Sequence, residues 1–150
     1  MTDWAALPKS VLFACSMNSV RSPMAAAILN HLAGSRANAR SAGARRGDTD
    51  LFAAAAMDEI GIDISDHQPT AMSELEDTGF DLIITLSPEA HHQALELARS
   101  LPAEVEYWPV ADPTAVSGSR EQILDAYRAC RDQLTQQIKQ RFGLGGAPHV

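Results

Sequence analysis

Two short apolar runs, at 11–14 and 81–86, and two weaker strand segments, at 39–42 and 105–108, are each followed by a segment with the features of a helix. The two apolar runs predict strands that are buried on both faces. Strands that alternate with helices form parallel sheets with helices packed on both faces. We therefore predict one three-layer α/β domain over residues 1–150, built on a four-stranded parallel sheet with strands at 11–14, 39–42, 81–86 and 105–108.

Capping signals predict where the first and third helices begin. Ser22-Pro23 places a serine that can cap a helix before a proline suited to its first turn, and Gly34 is expected to end that helix. Ser87-Pro88 repeats the signal before a helix that should run to about residue 100. Residues 69–79 are polar and predict a connection that holds a short helix.

The second and fourth helices have signals at both ends. Asp50 is expected to cap the second helix and Gly61 to end it. Its buried face should be formed by Phe52, Ala56 and Ile60. Ser119 and Gln122 form a capping box ahead of the last helix. Gly143 should end this helix in the left-handed conformation, and residues 143–150 are expected to form a flexible tail.

Charge and composition exclude several classes of function. The formal net charge of −7 argues against nucleic acid or an anionic membrane as the main partner. No stretch approaches the ~20 apolar residues of a membrane span, and the first ten residues lack the features of a signal peptide. We therefore expect a cytoplasmic protein, in which the two cysteines stay reduced and serve either packing or chemistry.

The loop after the first strand, Cys15 to Ser22, links a buried strand directly to a helix N-terminus. Such a turn directs several backbone N–H groups at one point, where the helix dipole adds positive charge, so an oxyanion of phosphate size is the natural guest. Arg21 can hold two phosphate oxygens at once, and Ser22 is placed to donate a hydrogen bond to Cys15. The positive field favours the thiolate form of Cys15, which can attack phosphorus. The alternative is an inert buried Cys15 with Arg21 in a surface ion pair.

A second candidate group follows the fourth strand. Transfer of a phosphoryl group to a thiolate needs a proton for the leaving oxygen and later a base for the attacking water. Asp112-Pro113 places a carboxyl group on a loop at the same sheet edge, because the carboxyl ends of parallel strands meet there. Taken alone, Asp-Pro is a common turn dipeptide; together with the cysteine loop, it favours catalysis.

Cys15-x5-Arg21-Ser22 near one end of the chain, with Asp112-Pro113 near the other, resembles the low-molecular-weight protein tyrosine phosphatases. That fold also includes the thioredoxin-coupled arsenate reductases. The similarity extends over nearly the whole chain, at 11–25, 41–43, 61–67, 81–86 and 112–132. It implies a parallel sheet with strand order 2-1-3-4, flanked by helices.

The resemblance also implies roles for individual residues. Cys15 would be the nucleophile, Arg21 the phosphate clamp and Asp112 the general acid and then base. The remaining loop residues would bind phosphate or support the loop and the thiolate: Ser16, Met17, Asn18, Ser19, Val20 and Ser22. Ser41, Arg45 and Thr114 are candidates for the rim, although Arg45-Arg46 also fits a solvated turn. No cofactor is expected.

Three positions depart from the family pattern. Val20 stands where many members have a second loop cysteine that protects the nucleophile in a disulfide. Thr114 and Ala115 follow Asp112-Pro113, and Ala44-Arg45-Arg46 follows Gly43, where the eukaryotic enzymes have aromatic walls for the phosphotyrosine ring. Ser87 follows the third strand, where the thioredoxin-coupled reductases have resolving cysteines.

These departures leave three functions open. The favoured one is hydrolysis of a phosphorylated protein or a small phosphomonoester, of the protein tyrosine phosphatase type, through a phosphocysteine. The second is reduction of arsenate, which mimics phosphate, with an external thiol that resolves the Cys15 adduct. The third is an oxyanion-binding regulatory module with little catalysis.

The remaining candidate residues favour structural roles. Cys130 falls on the apolar stripe of the last helix, which predicts core packing. His91 and His92 are adjacent and so point ~100° apart on a helix, which makes a poor metal pair, and we expect no metal site. His67 is expected to fix the loop near the site.

Overall fold

Residues 8–144 are described by the computed structural model of this protein. The strands are β1 (Ser10–Cys15), β2 (Asn38–Gly43), β3 (Leu82–Thr85) and β4 (Glu104–Tyr107). The helices are α1 (Arg21–Ala33), α2 (Leu51–Asp58), α3 (Pro88–Ala98) and α4 (Arg120–Phe142). Single 3₁₀ turns lie at Gly34–Arg36, Met72–Glu74 and Pro113–Ala115.

The four strands form one parallel sheet in the order β2-β1-β3-β4, which confirms the expected order and fold class. Cys15 is paired with Gly43, and Ala14 with Thr85, so the carboxyl ends of the strands lie at one edge. Thr85 is in turn paired with Tyr107, which places the end of β4 at that edge too. The four loops that leave this edge therefore start close together.

The two faces of the sheet carry separate apolar cores. Val11, Phe13 and Ile84 pack on one face with α1, α2 and α4, whereas Leu12 and Ile83 pack on the other with α3. These side chains are completely buried, as expected for strands covered on both faces. In the described part of the chain, no helix is long and apolar enough to cross a bilayer.

Most predicted helix ends are confirmed. Asp50 caps α2 by accepting from the N–H groups of Phe52 and Ala53. Ser87 caps α3, and Ser119 forms its capping box with Gln122 at the start of α4. Gly34 follows α1 at φ +59° and Gly143 follows α4 at φ +65°, in the left-handed region that glycine adopts most easily. Of the expected flexible tail at 143–150, residues 145–150 lie outside the described residues.

Two helix predictions were wrong. Ser22 does not cap α1: the helix begins at Arg21, two residues before Pro23, the expected first position, and its N-cap Val20 has no side-chain hydrogen bond. Ile60 does not belong to the buried face of α2, because the helix ends at Asp58 and i+3 turns carry the chain to Gly61. The Ile60 side chain is accordingly 42% exposed.

Strand boundaries differ from prediction by a residue or two. β2 is longer, at Asn38–Gly43, and β3 is shorter, at Leu82–Thr85, although Asp81 and Leu86 still donate N–H bonds to β1. β4 starts and ends one residue earlier than predicted. The predicted short helix between 69 and 79 is the 3₁₀ turn at Met72–Glu74.

A charged cluster joins the end of α2 to α4. The Glu59 carboxylate accepts hydrogen bonds from Arg128 at 2.7 and 3.0 Å and from Arg131 at 2.9 Å. Arg131 is nearly buried and also donates to the carbonyl of Ala56. Hydrogen bonds from Arg128 and then Arg131 lower the pKa of Glu59 from 4.5 to about 2.

We expect this cluster to make the stability of the fold acid-sensitive. Because the folded-state pKa of Glu59 is depressed, its carboxylate stabilises the fold above pH 4.5 and loses that contribution as the pH falls towards about 2. Urea unfolding should therefore show Glu59→Gln less stable than the parent protein at neutral pH, with the difference shrinking across this window. Glu76→Gln removes an exposed carboxylate outside the cluster and serves as the control. The same pH dependence in both variants would contradict this account.

Candidate functional site

The loop between β1 and α1 is held from behind by the segment that follows β2. The backbone N–H groups of Ala44, Arg45 and Gly47 donate to the carbonyls of Cys15, Ser16 and Met17 at 2.8–2.9 Å. These three carbonyl groups are thereby hydrogen-bonded on the side of the loop that faces β2. Within residues 8–144, no hydrogen bond uses the backbone N–H groups of residues 17–20 as donors. These N–H groups, at the start of α1, remain able to bind an anion.

Gly43 permits this close approach of the two segments. A Cβ atom at Gly43 would lie 2.7 Å from the Asn18 nitrogen and 2.8 Å from the Met17 carbonyl carbon. Both neighbours are backbone atoms of the loop, so neither can move aside without deforming it. A glycine is therefore required at the end of β2.

Asn18 sets the shape of the loop. It is fully buried and adopts φ +56°, a left-handed conformation that asparagine tolerates better than most residues. Its side-chain oxygen accepts from the Thr70 N–H at 2.8 Å, and its amide nitrogen donates to the Ser22 hydroxyl at 2.9 Å. Its own carbonyl accepts from Nε2 of His67 at 2.8 Å, which confirms that His67 fixes this loop.

Cys15 lies at the base of the loop with its sulfur between two donors. Its Sγ is 2.9 Å from the Ser22 hydroxyl oxygen and 3.4 Å from the Ser22 backbone nitrogen. The amide of Asn18 already donates to that oxygen. The one proton of the Ser22 hydroxyl has two acceptors in reach, the Cys15 sulfur at 2.9 Å and the Ala42 carbonyl at 3.3 Å, and the sulfur is the nearer. This pairing explains why Ser22 does not cap α1. Both donors stabilise negative charge on a Cys15 thiolate.

Arg21 is the cation of the site. Its side chain is nearly buried, and its Nη1 donates to the carbonyls of Val110 at 2.9 Å and Leu86 at 3.3 Å. These anchors lie just beyond β4 and β3, and they fix the plane of the guanidinium group. Within the described residues, Nε and Nη2 donate no hydrogen bond, so this edge is able to bind two oxygens of an anion.

Asp112 faces Arg21 from the loop after β4. One oxygen of its carboxyl group is 3.8 Å from Nη2 of Arg21, which is an ion-pair distance without a hydrogen bond. The other oxygen accepts from the N–H of Thr114 at 2.9 Å and from its hydroxyl at 2.7 Å. Thr114 therefore orients the carboxyl group, which is 44% exposed and accessible to a bound molecule.

A single cavity of about 260 Å³ brings these groups together. Of the predicted site residues, it is lined by Cys15, Met17, Ser19, Val20, Arg21, Asp112 and Thr114. Asn18 and Ser22 lie behind this lining and support it, as their hydrogen bonds require. Ser16 is turned to α3, where its hydroxyl donates to Ser87 at 3.0 Å.

Two of the three predicted rim residues do not line this cavity. Arg45 is turned away and makes a bidentate ion pair with Glu89 on α3, at 2.8 and 2.9 Å. Ser41 lies within β2 and lines a different cavity, together with Pro23 and His67. Arg45 therefore adds no basic rim to this cavity, whereas Thr114, the third candidate, lines it.

One wall of the cavity, formed by Asp48, Thr49 and Asp50, was not predicted from the sequence. Asp50 had been recognised only as a helix cap, but its second carboxylate oxygen also accepts from the Tyr127 hydroxyl at 2.8 Å. Burial, followed by the hydrogen bond to Asp50, raises the pKa of Tyr127, so the hydroxyl stays a donor at neutral pH. The strand order offered one indication of this wall. The segment that leads from β2 to α2 leaves the same sheet edge as the loop after β1, so its residues lie near that loop.

The other candidate residues take structural positions. Cys130 is buried in the core beside α1, as predicted, and burial raises the pKa of its thiol to about 12. His91 contacts the Thr85 hydroxyl and stacks on Tyr107. Across residues 8–144, no group of three or more histidine, cysteine or carboxylate side chains is arranged to hold a metal ion.

The assembled site can perform chemistry on a tetrahedral oxyanion. N–H groups of the loop and the free edge of Arg21 can bind its oxygens, and the Cys15 sulfur and the Asp112 carboxyl group line the same cavity. None of the residues that line the cavity is aromatic. The walls are carboxylate, hydroxyl and short apolar side chains.

The chain matches one protein family over nearly its whole described length. The model of the low molecular weight phosphotyrosine protein phosphatase family matches residues 10–143. Arsenate reductase 2 of Staphylococcus saprophyticus is 32% identical over 134 residues, which cover 89% of this chain and 96% of that protein.

Solved structures of both kinds of enzyme share the fold. A low molecular weight protein tyrosine phosphatase from T. tengcongensis superimposes with a TM-score of 0.74 at 25% identity, over 88% of this chain and 96% of that one. An arsenate reductase in its phosphate-binding state gives a TM-score of 0.70 at 25% identity, over 93% of this chain and 99% of that one. These similarities do not decide between phosphatase and arsenate reductase activity for this chain.

The contact between Ser22 and Cys15 can be tested through the reactivity of the thiol. In a Cys130→Ser background, Ser22→Ala should slow alkylation of Cys15 by iodoacetamide at pH 7 by about tenfold, because the thiolate loses a hydrogen bond. Ser19→Ala is the control, since Ser19 lines the cavity without contacting the sulfur. Equal rates for the parent and Ser22→Ala would contradict the assigned contact.

Proposed function

This chain belongs to the low molecular weight phosphotyrosine protein phosphatase family, and from that membership we propose that it hydrolyses phosphomonoesters through a phosphocysteine at Cys15. The observation that carries the proposal is the shared cavity. Cys15, the free edge of Arg21 and the Thr114-held carboxyl group of Asp112 all line it. The substrate is a phosphorylated protein, of the phosphotyrosine type, or a small phosphomonoester.

The first half-reaction transfers the phosphoryl group to sulfur. The three non-bridging oxygens bind the loop N–H groups and the Nε–Nη2 edge of Arg21, which places phosphorus above the Cys15 sulfur. The thiolate attacks phosphorus as the P–O bond to the leaving group breaks on the opposite side. The protonated carboxyl group of Asp112 donates its proton to the leaving oxygen, so an alcohol departs and an S–P bond remains.

The second half-reaction releases phosphate. A water molecule enters the place that the leaving group has vacated, and the Asp112 carboxylate removes its proton. The hydroxyl oxygen attacks phosphorus and the S–P bond breaks, which returns the electron pair to Cys15. The hydrogen bonds from Ser22 stabilise this leaving thiolate as they stabilise the attacking one.

Substitution of Cys15 and Asp112 tests the mechanism. Without added metal, the purified protein should hydrolyse p-nitrophenyl phosphate and Cys15→Ser should be inactive, because the hydroxyl is a far weaker nucleophile. Asp112→Asn should slow turnover of phosphotyrosine peptides by ~10²–10⁴-fold through loss of the general acid.

Cys130→Ser is the matched control, since it removes the other thiol without touching the cavity, and it should remain active. Hydrolysis that survives Cys15→Ser would overturn the mechanism. Calorimetry that finds tight phosphate binding, beside negligible hydrolysis of any phosphopeptide, would instead identify an oxyanion-binding module.

Arsenate reduction with an external thiol is the second candidate, and the similarity to arsenate reductases favours it. Arsenate has the charge and shape of phosphate, so the same loop would bind it. Reduction to arsenite takes two electrons, which two external thiols supply as they are oxidised to a disulfide. An external source is needed because Ser87 follows β3 and the thiol of Cys130 is buried.

This candidate predicts arsenate-dependent oxidation of a thiol reductant. We expect turnover with glutathione-type thiols or a glutaredoxin, and little with thioredoxin alone. Cys15→Ser should abolish the reaction, whereas Cys130→Ser should preserve it. No turnover with any of these reductants would remove this function, and loss of turnover in Cys130→Ser would show that the chain resolves the adduct internally.

A further inference from the structure

Three aspartates line the cavity, and one of them has no partner among residues 8–144. Asp112 faces Arg21 and accepts two hydrogen bonds from Thr114. Asp50 caps α2 and accepts from Tyr127. Asp48 is exposed and, among residues 8–144, makes neither a hydrogen bond nor an ion pair. Its carboxylate is therefore free to bind a group outside the protein.

The arginines nearest to Asp48 in sequence do not neutralise it. Arg45 is held by Glu89 in a bidentate pair, and Arg46 is held by Glu74. Arg21 is the one cation among the residues that line the cavity, and its free edge is directed to the anion site. The open side of the cavity is consequently negative, whereas its floor is positive.

The walls offer little else with which to select a substrate. No aromatic ring lines the cavity, so a leaving group cannot be held by stacking. Met17 and Val20 supply a small apolar surface, and Thr49 and Thr114 supply hydroxyl groups. Charge at the mouth is the strongest difference that this cavity can present to two phosphorylated substrates of equal size.

We propose that Asp48 is a specificity-determining residue that favours phosphorylated substrates with a positively charged side chain beside the phosphorylated residue. The inference rests on the proposed hydrolysis at Cys15 and names the class of substrate for that site. A cation next to the phosphate group pairs with Asp48 while the phosphate occupies the loop. An acidic side chain at that position of the substrate is repelled by the same carboxylate. The attraction and the repulsion together favour basic over acidic substrates.

The expected size of the effect follows from the exposure of Asp48. An exposed ion pair changes a rate or an affinity by about two- to fivefold, and salt screens it. The effect should therefore appear in kcat/KM at low ionic strength and diminish at high ionic strength. It should act mainly through KM, because the pair forms on binding and persists during the reaction.

The test uses two phosphotyrosine peptides of equal length, one with lysines and one with glutamates on either side of the phosphotyrosine. The parent protein should prefer the basic peptide at low ionic strength. Asp48→Asn should reduce that preference by about two- to fivefold, and Asp48→Lys should reverse it. Asp58→Asn is the matched control, since it removes one exposed aspartate at the far end of α2 and should leave the preference unchanged.

The outcomes separate this inference from the proposed function. Hydrolysis of p-nitrophenyl phosphate and of both peptides without preference would overturn the role of Asp48 and leave the proposed function standing. An equal loss of preference in Asp58→Asn would also overturn it, because net charge would then be the cause. If the protein hydrolyses neither p-nitrophenyl phosphate nor either peptide, both the proposed function and this inference fail.

Discussion

Three backbone hydrogen bonds from the segment after β2 hold the Cys15–Ser22 loop from behind, and the proposed chemistry depends on them. By engaging the carbonyls of Cys15, Ser16 and Met17, they leave the later N–H groups of the loop to bind an anion. The close approach requires Gly43, whose place beside Cys15 is set by strand register. The parallel sheet thus determines the anion site directly, because the two segments leave adjacent strands at the same edge.

A second layer of contacts sets the direction of the reacting groups. Asn18 joins the loop to the 67–70 segment and directs the Ser22 hydroxyl to the Cys15 sulfur. Arg21 is fixed by carbonyls beyond β3 and β4, so one edge of its guanidinium group remains for substrate. The residues proposed to react are therefore oriented by neighbours on several different loops. Such orientation lowers the activation barrier, because the reacting groups are held close to the geometry of the transition state.

The sequence predicted those parts of the molecule that short-range signals determine. Strand segments that alternate with capped helices predicted the α/β fold. Because the carboxyl ends of β1 and β4 lie at the same sheet edge, Cys15, Arg21 and Asp112 were expected to lie close together. The Arg45–Glu89 pair was missed because it joins the loop after β2 to α3, 44 residues away in sequence, and Arg45, a candidate for the rim, does not line the cavity. Ser22 was expected both to cap α1 and to donate a hydrogen bond to Cys15. The cap prediction was wrong because the helix begins before Ser22, which places its hydroxyl group beside the sulfur.

Transfer of a phosphoryl group to the sulfur of Cys15 leaves a phosphocysteine, and trapping this intermediate during turnover is the decisive experiment. The protein should be mixed with p-nitrophenyl phosphate and quenched during turnover, and its peptides should then be measured by mass spectrometry. We expect the peptide that contains Cys15 to be heavier by the mass of one phosphoryl group. The same peptide from Cys15→Ser should show no such increase. Turnover without a labelled cysteine peptide, or with the phosphoryl group on another residue, would contradict the account.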